Sequence, residues 1–337
     1  MILLIYNLHY IGNEDKYKNG IYPASPERIS RQLDFLSKTF QFISQKDLLR
    51  AVEGEGDIPE RSCMVTFDDG LKCQFEEALP ILQKKNIPTV FFVCSLPYVE
   101  KKVCTVHKIH WLRSNFSTEV FFGLIESQMR ELLGKDIDHY LGIDAIKKAS
   151  GRYRYDNAHE AGLKYLLTSI LSFSDRERII NNIFSTEIAD EEKFAEELYL
   201  TEDQIRQIYQ NGSLGMHSYD HHPLLMFEKN DLRESLFRNK NHLENLVQGE
   251  IYSISYPYGS NLEVDEQAFG QCRDIGLKLG FTMERALNVS LENPLSFARA
   301  DINDVVGGKH PLFKIENGNV GIVGKFSKKR KMFHADN

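Results

Sequence analysis

The stretch Met64-Val65-Thr66-Phe67-Asp68-Asp69-Gly70 decides how the chain folds. Four apolar and β-favouring residues end abruptly in two carboxylates and a glycine, which reads as a buried strand running into a loop. Downstream, Phe75, Leu79 and Leu82 recur at helical spacing, and Thr89-Val90-Phe91-Phe92-Val93 then forms a second apolar, β-rich run. The order is therefore strand, loop, helix, strand. Working outward, strand-like runs return at 212–216, 251–255 and 279–282, with helical patterns at 231–246 and 265–277 between them. Toward the N-terminus, Met1-Ile2-Leu3-Leu4-Ile5-Tyr6 reads as a first buried strand. Ser25-Pro26-Glu27-Arg28 has the cap-then-proline pattern of a helix start, with Ile29, Leu33, Leu36 and Phe40 continuing at helical spacing. Alternation of this kind predicts parallel strands joined by crossover helices.

Between residues 100 and 199 the strand signals fade, and 119–133, 159–171 and 191–198 read as amphipathic helices. A connection this long inside a compact barrel predicts an inserted helical subdomain rather than a loop. The chain thus divides into a barrel formed by 1–99 and 200–324, the insertion, and a basic tail, 325–337, read as solvated and without a function of its own.

The totals narrow the function. With 337 residues, of which 42% are hydrophobic, the chain can bury a large core. A net charge of -7 supplies no general field for a nucleic-acid backbone, so nucleic acid is not an expected partner. The five cysteines, Cys63, Cys73, Cys94, Cys104 and Cys272, form no Cys-x-x-Cys pair and read as ordinary reduced thiols. No segment has the roughly 18–20 uninterrupted apolar residues of a membrane helix, and the opening strand is too short for a signal-peptide core. A soluble protein with a cytoplasmic home is the default expectation.

Two local signals carry chemistry. Asp68 and Asp69 sit at the C-terminal end of a buried strand, where α/β barrels gather their active sites, although strand-to-helix turns also use Asp for its backbone hydrogen bonds. His217-Ser218-Tyr219-Asp220-His221 places two imidazoles four residues apart, just after another strand. If that segment takes one helical turn, both rings project to one side, as two nitrogen ligands of a divalent metal must. A polar turn decorated with histidines is the plainer alternative. Together, two histidines and one aspartate make a site with positions left open for water, and the second aspartate is then free to take a proton.

At this point the sequence resembles the polysaccharide deacetylases, carbohydrate esterase family 4. Thr66-Phe67-Asp68-Asp69-Gly70 resembles the first motif, which implies Asp68 as general base and Asp69 as metal ligand. His217 and His221 resemble the second, which implies the two histidine ligands; the approach from Leu200-Thr201-Glu202-Asp203-Gln204 to Asn211-Gly212 is also similar. Tyr256-Pro257-Tyr258-Gly259 resembles the third motif, in which the backbone N–H of the tyrosine, here Tyr258, helps hold an oxyanion. Phe281-Thr282, Asn288 and Arg299-Ala300-Asp301-Ile302-Asn303-Asp304 resemble the stretch that follows. Leu8-His9-Tyr10-Ile11-Gly12 is similar to the opening of a branch in which the last catalytic motif is permuted to the N-terminus.

The resemblance implies a distorted (β/α) barrel with fewer than eight strands. It also implies metal-dependent hydrolysis of an N-acyl group on a sugar, in which the metal polarises the acyl oxygen and acidifies a water that Asp68 deprotonates. Zinc suits the ligand set best, with cobalt or nickel as alternatives. An N-acylated carbohydrate, whether polysaccharide, glycolipid or nucleotide-sugar precursor, is the expected substrate. Removal of a formyl group or an O-acetyl ester would use the same residues, and a non-catalytic carbohydrate-binding relative is the alternative of another class.

Departures from the family pattern fall in the surroundings of the site. Ser255 stands where an arginine usually orients the base, and Arg299, from another strand, is the candidate replacement. Val305 follows Asp304 where a tryptophan is usual, and the single tryptophan is Trp111. Asn7-Leu8 separates Tyr6 from His9. His9 is nevertheless the expected general acid, chosen over His310, which reads as a loop residue, and His222, which adjoins a ligand.

Overall fold

In the computed structural model, which describes residues 1–16, 19–152, 157–260, 264–316 and 319–322, the chain forms two compact units. The first comprises 1–14, 23–101 and 195–337, and the second 15–22 and 102–194. The basic tail at 325–337 lies outside the described residues.

The first unit is built on strands β1 (Ile2–Leu8), β2 (Gln41–Phe42), β3 (Arg61–Phe67), β4 (Thr89–Val93), β5 (Leu214–Met216), β6 (Ser253–Ser255), β7 (Leu279–Arg285) and β8 (Phe297–Asp301). All pair in parallel in the order β1-β8-β7-β6-β5-β4-β3-β2. A further parallel pairing, Ile2 opposite Arg61 through Leu8 opposite Phe67, joins β1 to β3 and closes seven of the strands into a barrel. The eighth, β2, pairs with the early part of β3, before β4 takes over that edge at Val65. A barrel with fewer than eight closing strands is thus the observed architecture, as the sequence implied. An antiparallel pair, β9 (Phe313–Glu316) with β10 (Asn319–Ile322), follows.

Among the described residues, seven α-helices belong wholly to this unit. Four precede or follow the early strands: α1 (Pro26–Leu36), α2 (Gln45–Val52), α3 (Leu79–Lys84) and α4 (Leu96–Val99). The second unit holds α5 (Thr105–Asn115), α6 (Thr118–Leu133), α7 (Ile143–Arg152), α8 (Ala158–Tyr165) and α9 (Phe173–Glu187). The helix α10 (Glu191–Leu198) spans its end. Back in the first unit come α11 (Glu202–Gln210), α12 (Lys229–Val247) and α13 (Glu266–Asp274). Within the second unit, Lys108 is buried, ion-paired to Glu191 at 2.6 Å and hydrogen-bonded to Asn181 at 2.7 Å. No helix among the described residues is long and apolar enough to cross a membrane.

Side chains alternate between the two faces of each strand, and this alternation builds the site. Leu4, Tyr6 and Leu8, with Val65, Phe67, Phe91 and Val93, face outward and pack with Ile29, Leu33 and Leu36 of α1 and with Leu232, Leu236 and Leu243 of α12. Leu3, Ile5, Met64, Val90, Phe92, Leu279, Phe281 and Phe297 face inward and pack on one another, with Leu48 of α2 joining them. Burial of each such side chain contributes about 1.5–3 kcal/mol. One step further along the same inward faces stand Asn7, Thr66, Asp68, Arg299 and Met283. The interior is therefore apolar at the N-terminal end of the strands and polar at the C-terminal end.

Two local readings are refined. The first helix ends at Leu36, and Phe40 instead leads into β2, three residues after the cap at Ser37. The short α2 starts with a capping box between Ser44 and Asp47; the sequence reading passed over it.

Candidate active site

The turn after β3 is held by backbone as much as by side chains. Asp69 (φ 78°) and Gly70 (φ 65°) are both left-handed. A Cβ on Gly70 would also lie 3.2 Å from both methyls of Val93, so glycine is needed there for conformation and space. The same pairing recurs after β6, where Tyr258 (φ 58°) precedes Gly259 (φ 54°), and a Cβ on Gly259 would sit 2.7 Å from the backbone nitrogen of Met283. Ser218 and His221 are left-handed too, at φ 60° and 62°. Each non-glycine residue in this region costs on the order of 1–3 kcal/mol, and such strain gathers at functional sites.

The segment from His217 to His221 is therefore not the helical turn that its spacing suggested. It is a loop, folded back by the two left-handed residues, with the Ser218 hydroxyl accepting from the His221 N–H at 3.1 Å. The backbone N–H groups of Ser95 and Leu96 both donate to the Tyr219 carbonyl, at 3.0 and 2.8 Å. Outside the loop, the Tyr219 hydroxyl donates to Glu100 at 2.9 Å and accepts from Arg238 at 2.8 Å. The two histidine rings still meet, with centroids 4.8 Å apart.

Asp69, His217 and His221 are all buried, and one ligand atom from each lies within 4.8 Å of the others. His217 Nε2 and His221 Nε2 approach the same oxygen, Asp69 Oδ1, at 3.4 and 3.1 Å. The Nδ1 of His217 lies 2.7 Å from the Ser255 carbonyl oxygen, which can only accept, so Nδ1 carries the hydrogen and Nε2 offers its lone pair. Burial opposes a charge on His217, but Asp68 and Asp69 outweigh it and set its pKa above the ordinary imidazole value. The point is thus one of negative potential, lined by two nitrogens and a carboxylate oxygen. That donor set fits a divalent cation of the zinc, cobalt or nickel kind with positions left open.

Asp68 faces the other way. Arg299 forms a bidentate pair with it, Nη1 to Oδ1 at 2.8 Å and Nη2 to Oδ2 at 2.7 Å, with the arginine wholly buried. Burial would raise the pKa of Asp68, but the Arg299 charge, then His217, the Arg299 hydrogen bonds and His9 push it far below the usual carboxylate range. His9 Nε2 stands 3.6 Å from Asp68 Oδ2 and is partly exposed. Asn7 donates to Asp68 Oδ2 at 3.1 Å, and the buried Gln74 amide donates to the carbonyls of Asp68 at 2.6 Å and His9 at 3.0 Å. The Tyr258 ring meets that of His221 edge-on at 5.2 Å.

Of the other histidines weighed from sequence, His222 is paired with Asp220 at 2.7 Å. His310 is exposed, its backbone N–H donating to Asn303 and its carbonyl accepting from Arg285. The sequence reading gave no role to Asn7, which it met only as a spacer, to Thr66, which it met only within the Thr66–Gly70 motif, or to Gln74. The only hint of Asn7 was a polar residue at an inward position of an otherwise apolar strand.

The scan of protein families matches residues 55–133 and 160–280, more than half of the chain, to the model described as polysaccharide deacetylase. The chain belongs to the polysaccharide deacetylase family. Solved structures agree on the fold. A deacetylase of Streptococcus pyogenes, PplD, in complex with acetate, is 16% identical, with 89% of this chain and 92% of that one covered at a TM-score of 0.54. A de-N-acetylase from Aggregatibacter actinomycetemcomitans is 14% identical over 90% and 96%, at 0.53. IcaB from Ammonifex degensii is 17% identical over 89% and 91%, at 0.52. No curated protein sequence matches significantly.

Proposed function

We propose that this polysaccharide deacetylase family member hydrolyses an N-acetyl group on an amino sugar, with Asp69, His217 and His221 holding a divalent cation and Asp68 as general base. The observation that carries the reading is the division between two adjacent carboxylates. Asp69 points to two imidazole nitrogens, and Asp68 is turned away into a bidentate arginine pair. When bound, the cation, zinc in our reading, would polarise the acyl oxygen and acidify a water.

The remaining roles belong to the chain. Arg299 keeps Asp68 ionised, so the carboxylate is ready to take a proton but is only weakly basic, which suits a strongly acidified donor. Arg299 also supplies from β8 the orientation that an arginine at position 255 would give. The backbone N–H of Tyr258, presented by its left-handed turn, stabilises the oxyanion. His9, 3.6 Å from Asp68, gives a proton to the departing amine.

The deacetylase of Streptococcus pyogenes and the de-N-acetylase of Aggregatibacter actinomycetemcomitans that share this fold support this reaction class. The test is acetate release from N-acetylated mono- and oligosaccharides, lipid-linked and nucleotide-linked forms, using enzyme stripped of metal and reloaded with zinc, cobalt or nickel. Release that depends on added metal is expected. Full activity after stripping would overturn the cation, and release from O-acetyl or N-formyl substrates alone would move the reaction to those groups.

A further inference from the structure

We infer that Asn7, on β1, is a positioning residue that fixes the carboxylate of Asp68 by joining Arg299 to it. This rests on the reading of Asp68 as the base. Asn7 is wholly buried in the polar end of the barrel interior. Its Oδ1 accepts from Arg299 Nη1 at 2.8 Å and from the Thr66 hydroxyl at 2.8 Å, while its Nδ2 donates to Asp68 Oδ2 at 3.1 Å and approaches Met283 Sδ at 3.6 Å.

Both ends of the carboxamide are committed, and its orientation follows from them. Rotated by half a turn, it would set its NH2 group against the guanidinium and its oxygen against the Asp68 carboxylate. The donors of Arg299 are equally spoken for. Its five N–H groups meet five acceptors: Nε the Thr282 carbonyl, Nη1 both Asn7 Oδ1 and Asp68 Oδ1, and Nη2 both Asp68 Oδ2 and Met283 Sδ. Arg299, Asp68 and Asn7 therefore close a ring of hydrogen bonds. A guanidinium entering from β8 has no neighbour on its own strand to hold it against Asp68, and Asn7, on the adjacent strand β1, supplies that contact.

The ring also shapes the base. Asp68 Oδ2 takes two of these donors and Oδ1 only one, so the acceptor position left open by the ring lies on Oδ1. Removing Asn7 takes away the brace that ties the guanidinium and the carboxylate to β1, so that the Arg299–Asp68 pair can shift together, and it opens a second position on Oδ2. The cost falls on proton transfer and leaves substrate binding unaltered.

The experiment uses Asn7→Asp, which keeps shape and the acceptor toward Arg299 but loses the donor, and Asn7→Ala. Both are measured for metal per chain, thermal midpoint, and kcat and KM for acetate release in the zinc-loaded enzyme, alone and combined with Asp68→Asn. The expected result is a loss of about ten- to hundredfold in kcat, the scale of one hydrogen bond to a charged group. KM and metal content should stay unchanged, and no further loss should occur once Asp68→Asn is present. A loss that adds in full to that of Asp68→Asn overturns the inference. So does a lower midpoint with kcat within about twofold of the parent, because a purely structural role gives that result. An active Asp68→Asn removes the base reading and this inference with it. An inactive Asp68→Asn beside fully active Asn7 variants removes the inference alone.

Discussion

The two sides of the site are built by different rules. The cation side draws its three residues from two short stretches, the turn carrying Asp69 and the five-residue loop from His217 to His221. The base side gathers Asn7 and His9 from the first strand and its end, Asp68 from the turn after β3 and Arg299 from β8, residues up to 292 positions apart. Contiguous spacing makes the first side readable, because its residues fall within a few positions of one another in each stretch. The second side is imposed by the closing of the barrel, which sets β8 and β3 on either edge of β1. It leaves no local pattern.

The largest difference between the sides should appear in Asp68→Asn. Loss of a general base typically costs a factor of about 10²–10⁴, so initial-rate acetate release from the zinc-loaded variant should fall by that much. Arg299→Ala should come next, as a stability effect. It strands a buried carboxylate, a change that typically costs about 3–5 kcal/mol, and denaturant unfolding at neutral pH would measure it. His9→Ala should lower kcat by about a hundredfold with metal retained. His310→Ala, whose side chain is exposed, should leave turnover within about twofold; the reverse ranking would transfer the acid to His310.

The smallest expected effect is in the pH dependence of stability. The pKa of Asp68 is depressed on folding, so its contribution is fully present above the unfolded carboxylate value near 4 and is lost as pH falls below it. The thermal midpoint of the parent should therefore exceed that of Asp68→Asn by a constant margin from about pH 5 to 7, and the margin should shrink below about pH 4. A margin that grows on acidification would contradict the depressed pKa.

Much of the barrel was legible because buried parallel strands are continuous apolar runs and their helices keep a strict period. The strand Phe297-Ala298-Arg299-Ala300-Asp301 was reached only through the family resemblance, since its own pattern does not announce it: it has no β-branched residue, and an arginine occupies its inward position. Only the ring of partners around Arg299 makes that burial tolerable, and no sequence window contains those partners. Likewise the His217–His221 spacing announced two paired imidazoles but not their backbone, since the loop with its left-handed Ser218 and His221 is held at the Tyr219 carbonyl by Ser95 and Leu96, far away in sequence. Asn7 and Gln74 are ordinary polar residues until folding brings them to Asp68.

The division of labour between the adjacent carboxylates is tested most directly by elemental analysis of Asp68→Asn and Asp69→Asn, purified side by side with zinc supplied. Asp68→Asn is expected to hold about one zinc per chain, like the parent, and Asp69→Asn to lose most of it. Full zinc in Asp69→Asn, or its loss from Asp68→Asn, would contradict the assignment.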